Sequence, residues 1–470
     1  MASAEPAVTP AEGTASRADM TFGRAYRGWL LFVLLLVNAL NIADRQGMAI
    51  TAPAIKRDLG LSDTQLGILL GLGFAIFFSL MALPIARLAE HRSRTRIVSI
   101  AAGVLGAMLA LCGMVQNFWQ FLACRIGVGA GDAGFGPPVA SLIGDHYPAE
   151  KRASVTALVW LGAPIGAIGG SMIGGCLAQD FGWRMWFFAI AVPALVLAIA
   201  SFLTLRDPPR GMNDGAKPVT APPPMMAVIR FLWAKKSFRQ LLIGAGLAAI
   251  SMNALGQFFA RYFVANFHIG LAEAGRILGL MAGTAMASGM LLGGFGVERL
   301  ARTDRRWYAR GPAIALVVAT PLFILGAMQA TVTSAVAILL IGHIALFIFW
   351  APTLALAQNM VGATMRASSA FVVNIVLGLV GIGLGPMLIG ILSDAFASHS
   401  FVLGHFAQMC PAGAPPPDAN AALVGACREA SAAGVRDAIV AMSCLFAWAG
   451  VHYFLASRDL ERDLDTHYIA

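Results

Sequence analysis

A chain of 470 residues that is 58% hydrophobic, only 12% charged and has a mean hydropathy of +0.74 cannot be a soluble globular domain. The net charge of +9 comes from arginines spread over short loops rather than from a basic tract, so no nucleic-acid partner is expected. The 6 cysteines lack metal-ligand spacing, and no phosphate loop or nucleophile elbow occurs, so no metal, cofactor or hydrolytic chemistry is expected.

Residues 1–27 are polar and alanine-rich and read as a cytoplasmic tail without a cleavable signal peptide. Apolar stretches of 18 or more residues then recur near 28–51, 62–85, 95–115, 118–144, 154–178, 184–204, 240–266, 273–297, 308–328, 333–358, 368–393 and 433–456. Each is about the length that crosses the roughly 30 Å hydrocarbon core of a bilayer. Residues 206–237 break the series with Arg206-Asp-Pro-Pro-Arg-Gly211 and an Ala-Pro-Pro-Pro run, then a basic piece from Ile229 to Phe238 expected to lie on the inner leaflet surface. The predicted fold is an all-α membrane protein of twelve transmembrane helices in two six-helix halves, 28–205 and 238–458, with a cytoplasmic linker at 206–237 and a C-terminal tail at 459–470. With the N-terminus inside, 24 basic residues face inward and 6 outward, which puts both termini in the cytoplasm and the chain in the inner (plasma) membrane as a multi-pass protein.

Four charged residues lie at membrane depth. Arg125 and Asp132 are seven residues apart in the fourth stretch, nearly two turns, so they share a helix face with Gly129 between them. Asp44 in the first stretch and Arg125 both lie roughly 10 Å below the outer end of their stretches, at ~1.5 Å per residue, so they can meet; Asp132 lies deeper, near the bilayer centre. Arg45 follows Asp44 on another helix face. Buried ionisable groups of this kind are functional candidates, as a proton switch or an anion site, or else a permanent strut between helices.

Weaker candidates are Asn41, Gln358, Asn359 and Asn374, which either face a cavity or tie helices together. Gln257 and Arg261 lie one turn apart in the seventh stretch; Arg261 either holds a substrate anion or reaches the outer headgroups. His343 is read as a hydrogen-bonded packing residue. Glycine-rich runs at Gly162–Gly170 and Gly378–Gly385 occupy equivalent places in the two halves and mark either bends near a substrate path or close packing. Cys410 and Cys427 share the long outer loop after the eleventh stretch and can form one disulfide.

Internal repetition supports the two halves. Ala86-Arg87-Leu-Ala-Glu90-His-Arg-Ser-Arg94 follows the second stretch, and Gly294-Phe-Gly-Val-Glu298-Arg299-Leu-Ala-Arg302 follows the eighth. These two loops resemble the cytoplasmic signature of the major facilitator superfamily, with glutamate where that signature has aspartate. The resemblance is to its Spinster-like branch, through Asn41-Ile-Ala-Asp44-Arg45, Arg125 to Ala133, Pro148-Ala-Glu-Lys-Arg152, Phe181-Gly-Trp-Arg184, Arg206 to Gly211, Met365-Arg-Ala-Ser, Gly385-Pro386 and Ser393-Asp394. Asp132 stands where the branch usually has glutamate.

The resemblance implies a secondary transporter, not an enzyme, that works by alternating access as a monomer in the lipid bilayer. Its coupling ion would be a proton, carried on the ladder Asp44, Arg45, Arg125 and Asp132, and Arg87, Glu90, Arg94, Glu298 and Arg299 would form the cytoplasmic gate motif. The cargo it implies is a small amphipathic, lipid-like anion of lysophospholipid or sphingosine-phosphate type. The headgroup would meet Arg125 or Arg45, and Phe258, Phe259, Phe263 and Trp350 would line the tail site. A small organic anion is the alternative cargo; a membrane-embedded lipid enzyme or a sensor without transport is the alternative class.

The arginine asymmetry predicts topology independently of the resemblance. In a cysteine-free background, an impermeant thiol reagent should reach a cysteine at position 57 from outside the cell and one at position 304 only from inside. The reverse pattern would invert the orientation.

Overall fold

The computed structural model describes residues 22–147, 149–209, 225–361, 365–416 and 419–465. The first half is built from α1 (Arg24–Leu59), α2 (Asp63–Leu70), α3 (Leu72–His91), α4 (Arg94–Cys112), α5 (Phe118–Ala133), α6 (Gly136–His146), α7 (Ala149–Trp160), α8 (Gly162–Asp180) and α9 (Trp183–Thr204). Polar residues start several of these helices by accepting from otherwise orphaned N–H groups: Ser62 forms a capping box with Gln65, and Ser93 and Asn117 cap α4 and α5. Gly162, Gly166 and Gly170 of α8 lie against the α1 backbone, where a Cβ at Gly166 would stand 2.2 Å from the Ala39 carbonyl oxygen. Of the two readings open for this run, the structure therefore shows close packing, and within one half.

The second half comprises α10 (Met225–Ala234), α11 (Lys236–Phe267), α12 (Leu271–Leu291), α13 (Val297–Ala301), α14 (Trp307–Ala327), α15 (Val332–Phe347), α16 (Trp350–Asn359), α17 (Arg366–Ile375), α18 (Gly385–Ser400), α19 (Phe406–Met409) and α20 (Ala421–Asp465). Two π-helical segments, Leu292–Gly296 and Val376–Leu384, interrupt its spans. The basic piece before α11 does not simply lie on a membrane surface. Helix α10 packs on α11 and α17 with Val228 and Leu232 fully buried, because one face of this short helix is apolar enough to join the core.

Eleven helices among the described residues are long and apolar enough to cross a membrane. The expected fourth stretch is not one of them, because it is broken: α5 ends at Ala133 and α6 restarts at Gly136, with Pro137 and Pro138 in its first turn. Prolines lack the N–H that a helix interior uses, so a pair of them fits a helix start, where that N–H has no intrahelical acceptor. The last helix is longer than its apolar stretch at both ends, running 45 residues.

Both described chain ends and the start and end of the 206–237 segment lie at one end of the bundle, termed here the terminal end; the opposite end is the far end. At the terminal end Arg94 holds Asp207 and the Pro208 carbonyl, and Lys235 donates to the carbonyls of Met360 (2.7 Å) and Asp463 (2.5 Å). The halves meet through α2 on α18, α8 on α12, α1 on α11, and α3 on the Val376–Leu384 segment. The far-end contact is backbone on backbone, since a Cβ at Gly67 would stand 2.1 Å from the Pro386 carbonyl oxygen and one at Gly390 2.3 Å from that of Asp63. At the terminal end, by contrast, the main packing of α6 and α7 is within the first half and that of α13, α16 and α17 within the second. Among the described residues, the close backbone packing between the halves is at the far end.

Cys410 and Cys427 form a disulfide at the far end, packed with Phe401, Phe406 and Ala430 in a small core of its own. Unreduced peptide mapping should recover the linked pair, and Cys410→Ser should cost about 3 kcal/mol, as expected for opening a loop of this size. Two freely alkylated thiols in the native protein would contradict it.

Candidate functional site

Two crossed ion pairs occupy the middle of the first half. Arg125 Nη1 on α5 donates to both carboxylate oxygens of Asp44 on α1, at 3.1 and 2.9 Å, with both side chains 2% exposed. Arg45, the next residue on α1, points the other way and bonds Asp132 through Nη2; its side chain is 22% exposed and that of Asp132 is 7%. Adjacent helix positions diverge by about 100°, so one helix can present a carboxylate to one level of α5 and a guanidinium to another. Asp44 and Arg125 meet as their depths suggested. The crossing itself was not legible, because the sequence spacing puts Arg125 and Asp132 on one face but does not say which of two neighbouring residues on α1 each one finds.

The pairs are held by aromatic rings. The Arg45 guanidinium lies 4.4 Å from the centre of the Phe74 ring, which stacks on Phe78 with centroids 5.5 Å apart. Gly129 permits this, since a Cβ there would lie 2.4 Å from the Phe74 carbonyl oxygen; α3 and α5 touch at that level. The helix break at Gly134 falls two residues after Asp132, so the carboxylate sits at a discontinuity rather than inside a regular helix.

Arg45 and Arg125 face a small cavity of about 30 Å³ between the halves, whose other walls are Leu70, Phe74, Asn253, Gln257 and Ile382. One wall therefore offers two guanidinium groups and an aromatic face, the opposite wall two amides. Arg45 Nε and Arg125 Nε are buried with no acceptor among the described residues, so each keeps a donor beyond its ion pair. The donors suit an anionic group, and the space between them as it stands has room for a water or two.

The other predicted residues divide. Gln257 lines the cavity; Asn41 is buried beside Asp44 in sequence, with its Oδ1 unsatisfied. Phe258, Phe259 and Phe263 do not line a tail site. They are buried inside the second half, where Phe259 stacks against Phe323 and His343, because that face of α11 packs on α14 and α15 and not on the first half. Trp350 and Gln358 are half-buried on α16 and Asn374 is exposed on α17, away from the cavity walls. Arg261 reaches neither cavity nor headgroup: it is 8% exposed and paired with Asp63 at 2.6 Å. His343 Nδ1 bonds the Leu339 carbonyl, as read for a packing residue.

In the loop motif after α3, Arg94 is committed to Asp145 and Ser141 of the first half and to Asp207 at the start of the 206–237 segment. Arg87 and Arg299 are exposed and Glu298 pairs with Arg302, while the Glu90 side chain lies outside the described residues. Among the described residues no group of three or more His, Cys, Asp or Glu is placed to hold a metal.

The profile of the Major Facilitator Superfamily matches residues 34–402. An MFS-type efflux pump of Mycolicibacterium smegmatis (strain ATCC 700084 / mc(2)155) is 28% identical over 377 residues, covering 78% of this chain and 85% of the relative. A probable L-galactonate transporter of Escherichia coli (strain K12) is 25% identical over 398 residues, covering 79% and 84%. Among solved structures, a bacterial homolog of the human lysosomal transporter Spinster, in an inward-facing and occupied conformation, superposes with a TM-score of 0.84 at 29% identity, covering 94% of this chain and 99% of that one.

The buried pair makes a stability prediction. Asp44→Asn or Arg125→Gln alone strands an ion and should cost about 3 to 5 kcal/mol, whereas neutralising both together should recover most of the lost thermal stability. A double variant no more stable than either single one would refute the pairing.

Proposed function

The chain belongs to the Major Facilitator Superfamily and is a transporter of Spinster type, and on that premise we propose that it is a proton-coupled secondary active transporter working by alternating access. The observation that carries the reading is the Arg45–Asp132 pair. It is the more exposed of the two crossed pairs, and its arginine forms the wall of a cavity between halves that pack closely at the far end. A carboxylate next to a guanidinium stays ionised, and one that loses the guanidinium in an apolar chamber takes a proton. Cargo that draws Arg45 away from Asp132 would thus trigger proton uptake, and its departure would return the pair and expel the proton. The deeper Asp44–Arg125 pair, with both partners almost without exposure, serves as the fixed strut that holds α1 on α5.

The arginine asymmetry supports a cytoplasmic terminal end and an outward far end, and the close packing of the halves at the far end supports an inward-facing state. On that orientation α5 and α6 together make the fourth of twelve spans, both termini are cytoplasmic and the protein works in the inner membrane as a monomer. The cargo we favour is an amphipathic lipid-like anion, its headgroup at Arg45 and Arg125 and its apolar part along Phe74, Leu70 and Ile382. A small organic anion is the second reading, favoured by the amides on the opposite wall and by the similarity to a probable L-galactonate transporter.

Proteoliposomes with an imposed pH gradient test both. Asp132→Asn should abolish gradient-driven accumulation while leaving equilibrium exchange of cargo, and Asp132→Glu should retain much of the activity. A lysophospholipid and a small sugar acid offered in parallel separate the two cargo classes. Undiminished pH-driven accumulation in Asp132→Asn would overturn the assignment of the proton to this carboxylate.

A further inference from the structure

A second cluster of buried ions lies at the far end, on the seam between the halves. Asp63, 1% exposed, accepts from Lys56 Nζ at 2.6 Å through one oxygen and from Arg261 Nη2 at 2.6 Å through the other, and Ser393 Oγ adds a third donor at 2.7 Å. Lys56 and Asp63 belong to the first half, Arg261 and Ser393 to the second. Asp394, from the second half, accepts from the backbone N–H groups of Asp63 (3.0 Å) and Thr64 (2.8 Å) and from Thr64 Oγ1 (2.7 Å). It therefore closes the N-terminus of α2, where N–H groups lack intrahelical acceptors and negative charge is favoured. The disulfide loop roofs the cluster: a Cβ on Gly413 would lie 3.3 Å from Lys56 Nζ and 2.9 Å from Ser431 Oγ, and Ser431 accepts from Arg261 Nη2 at 3.0 Å.

The charges are arranged asymmetrically. If the halves part here, Asp63 keeps Lys56 and the first half carries no bare ion, while Arg261 loses its counter-ion and α2 keeps its Ser62 capping box but loses the Asp394 acceptor of its first two N–H groups. Lys56 thus competes with Arg261 for one carboxylate and repels it across a short gap, which makes the cross-half bond exchangeable instead of permanent. We propose that Asp63, shared between Lys56 and Arg261 and backed by Asp394 on the α2 terminus, is the releasable latch of the outer gate, and that Lys56 is the residue that makes it releasable. This rests on the alternating-access reading and adds to it the residues that set how readily the outer side opens.

The latch predicts opposite signs for two neutralising substitutions, which a merely structural cluster would not. In protein with Cys112, Cys124, Cys176 and Cys444 replaced by serine and the Cys410–Cys427 bridge retained, Asn253→Cys reports cavity access to an impermeant maleimide added on the far side of oriented vesicles. Arg261→Gln should raise the labelling rate on the order of tenfold, and Lys56→Gln should lower it on the same order, because opening would then strand Asp63. Asp394→Asn should raise it as well, and gives a second route to the same result should Arg261→Gln fail to fold. Gly67→Ala wedges the same seam open without changing charge and should also raise it. If Gly67→Ala raises labelling while Arg261→Gln and Lys56→Gln shift together or not at all, the latch is overturned and alternating access stands. If Gly67→Ala also leaves labelling unchanged, the moving gate itself is overturned.

Discussion

Every charge inside this bundle must find a counter-charge or a ring of donors, because a bare ion in a low-dielectric interior costs several kcal/mol. That requirement decides which helices stay together. In the first half, Asp44 on α1 is satisfied by Arg125 on α5, Arg45 by Asp132, and Arg94 by Asp145 and Asp207, so α1, α4, α5 and α6 are tied into one body. Only at Asp63 does an ion pair reach from one half to the other among the described residues, and there the first half holds a spare partner, Lys56. The distribution of ion pairs thus separates what is fixed from what can exchange.

Glycine performs the complementary task without charge. Where helices of one half touch, as α8 on α1, no side-chain hydrogen bond joins the two helices among the described residues. Where helices of different halves touch, as α2 on α18, the same glycine contacts are accompanied by hydrogen bonds from Thr64 and Ser393 that water could replace on opening. Close packing then confers shape, and the polar groups beside it determine whether the contact is reversible.

Much of this architecture was legible in the residues alone. Apolar length shows that the chain crosses a membrane many times, and the depth of Asp44 and Arg125 brings them together, because both follow from the rise of a helix. The residues that resisted reading are those whose partners lie on another helix at an unknown rotation. Arg261 looks like a cavity or headgroup residue until α2 delivers Asp63, and Phe259 looks like a cavity residue until α14 and α15 cover it. Asp63 carried a signal that was available: it stands seven residues after Lys56 at the outer turn of the chain, and Ser393-Asp394 lies at the matching level of the eleventh stretch. The break between α5 and α6 could also have been found from Pro137-Pro138, whose effect was hidden by a run of apolar neighbours that reads as one span.

The fastening of Lys235 bears on how the second half is held together. Its ammonium, whose pKa burial pushes down, is held by main-chain carbonyls of Met360 and Asp463, and Ser237 bonds the Asp463 carboxylate at 2.6 Å. Among the described residues, the ion pairs that tie α1 to α5 and α4 to α6 use no partner beyond residue 207. The start of α11, by contrast, is held by Asp463, near the end of α20. Loss of the last turn of α20 would therefore remove the Asp463 carbonyl from Lys235 and the Asp463 carboxylate from the first turn of α11, so the entry of the second half depends on the end of its own sequence.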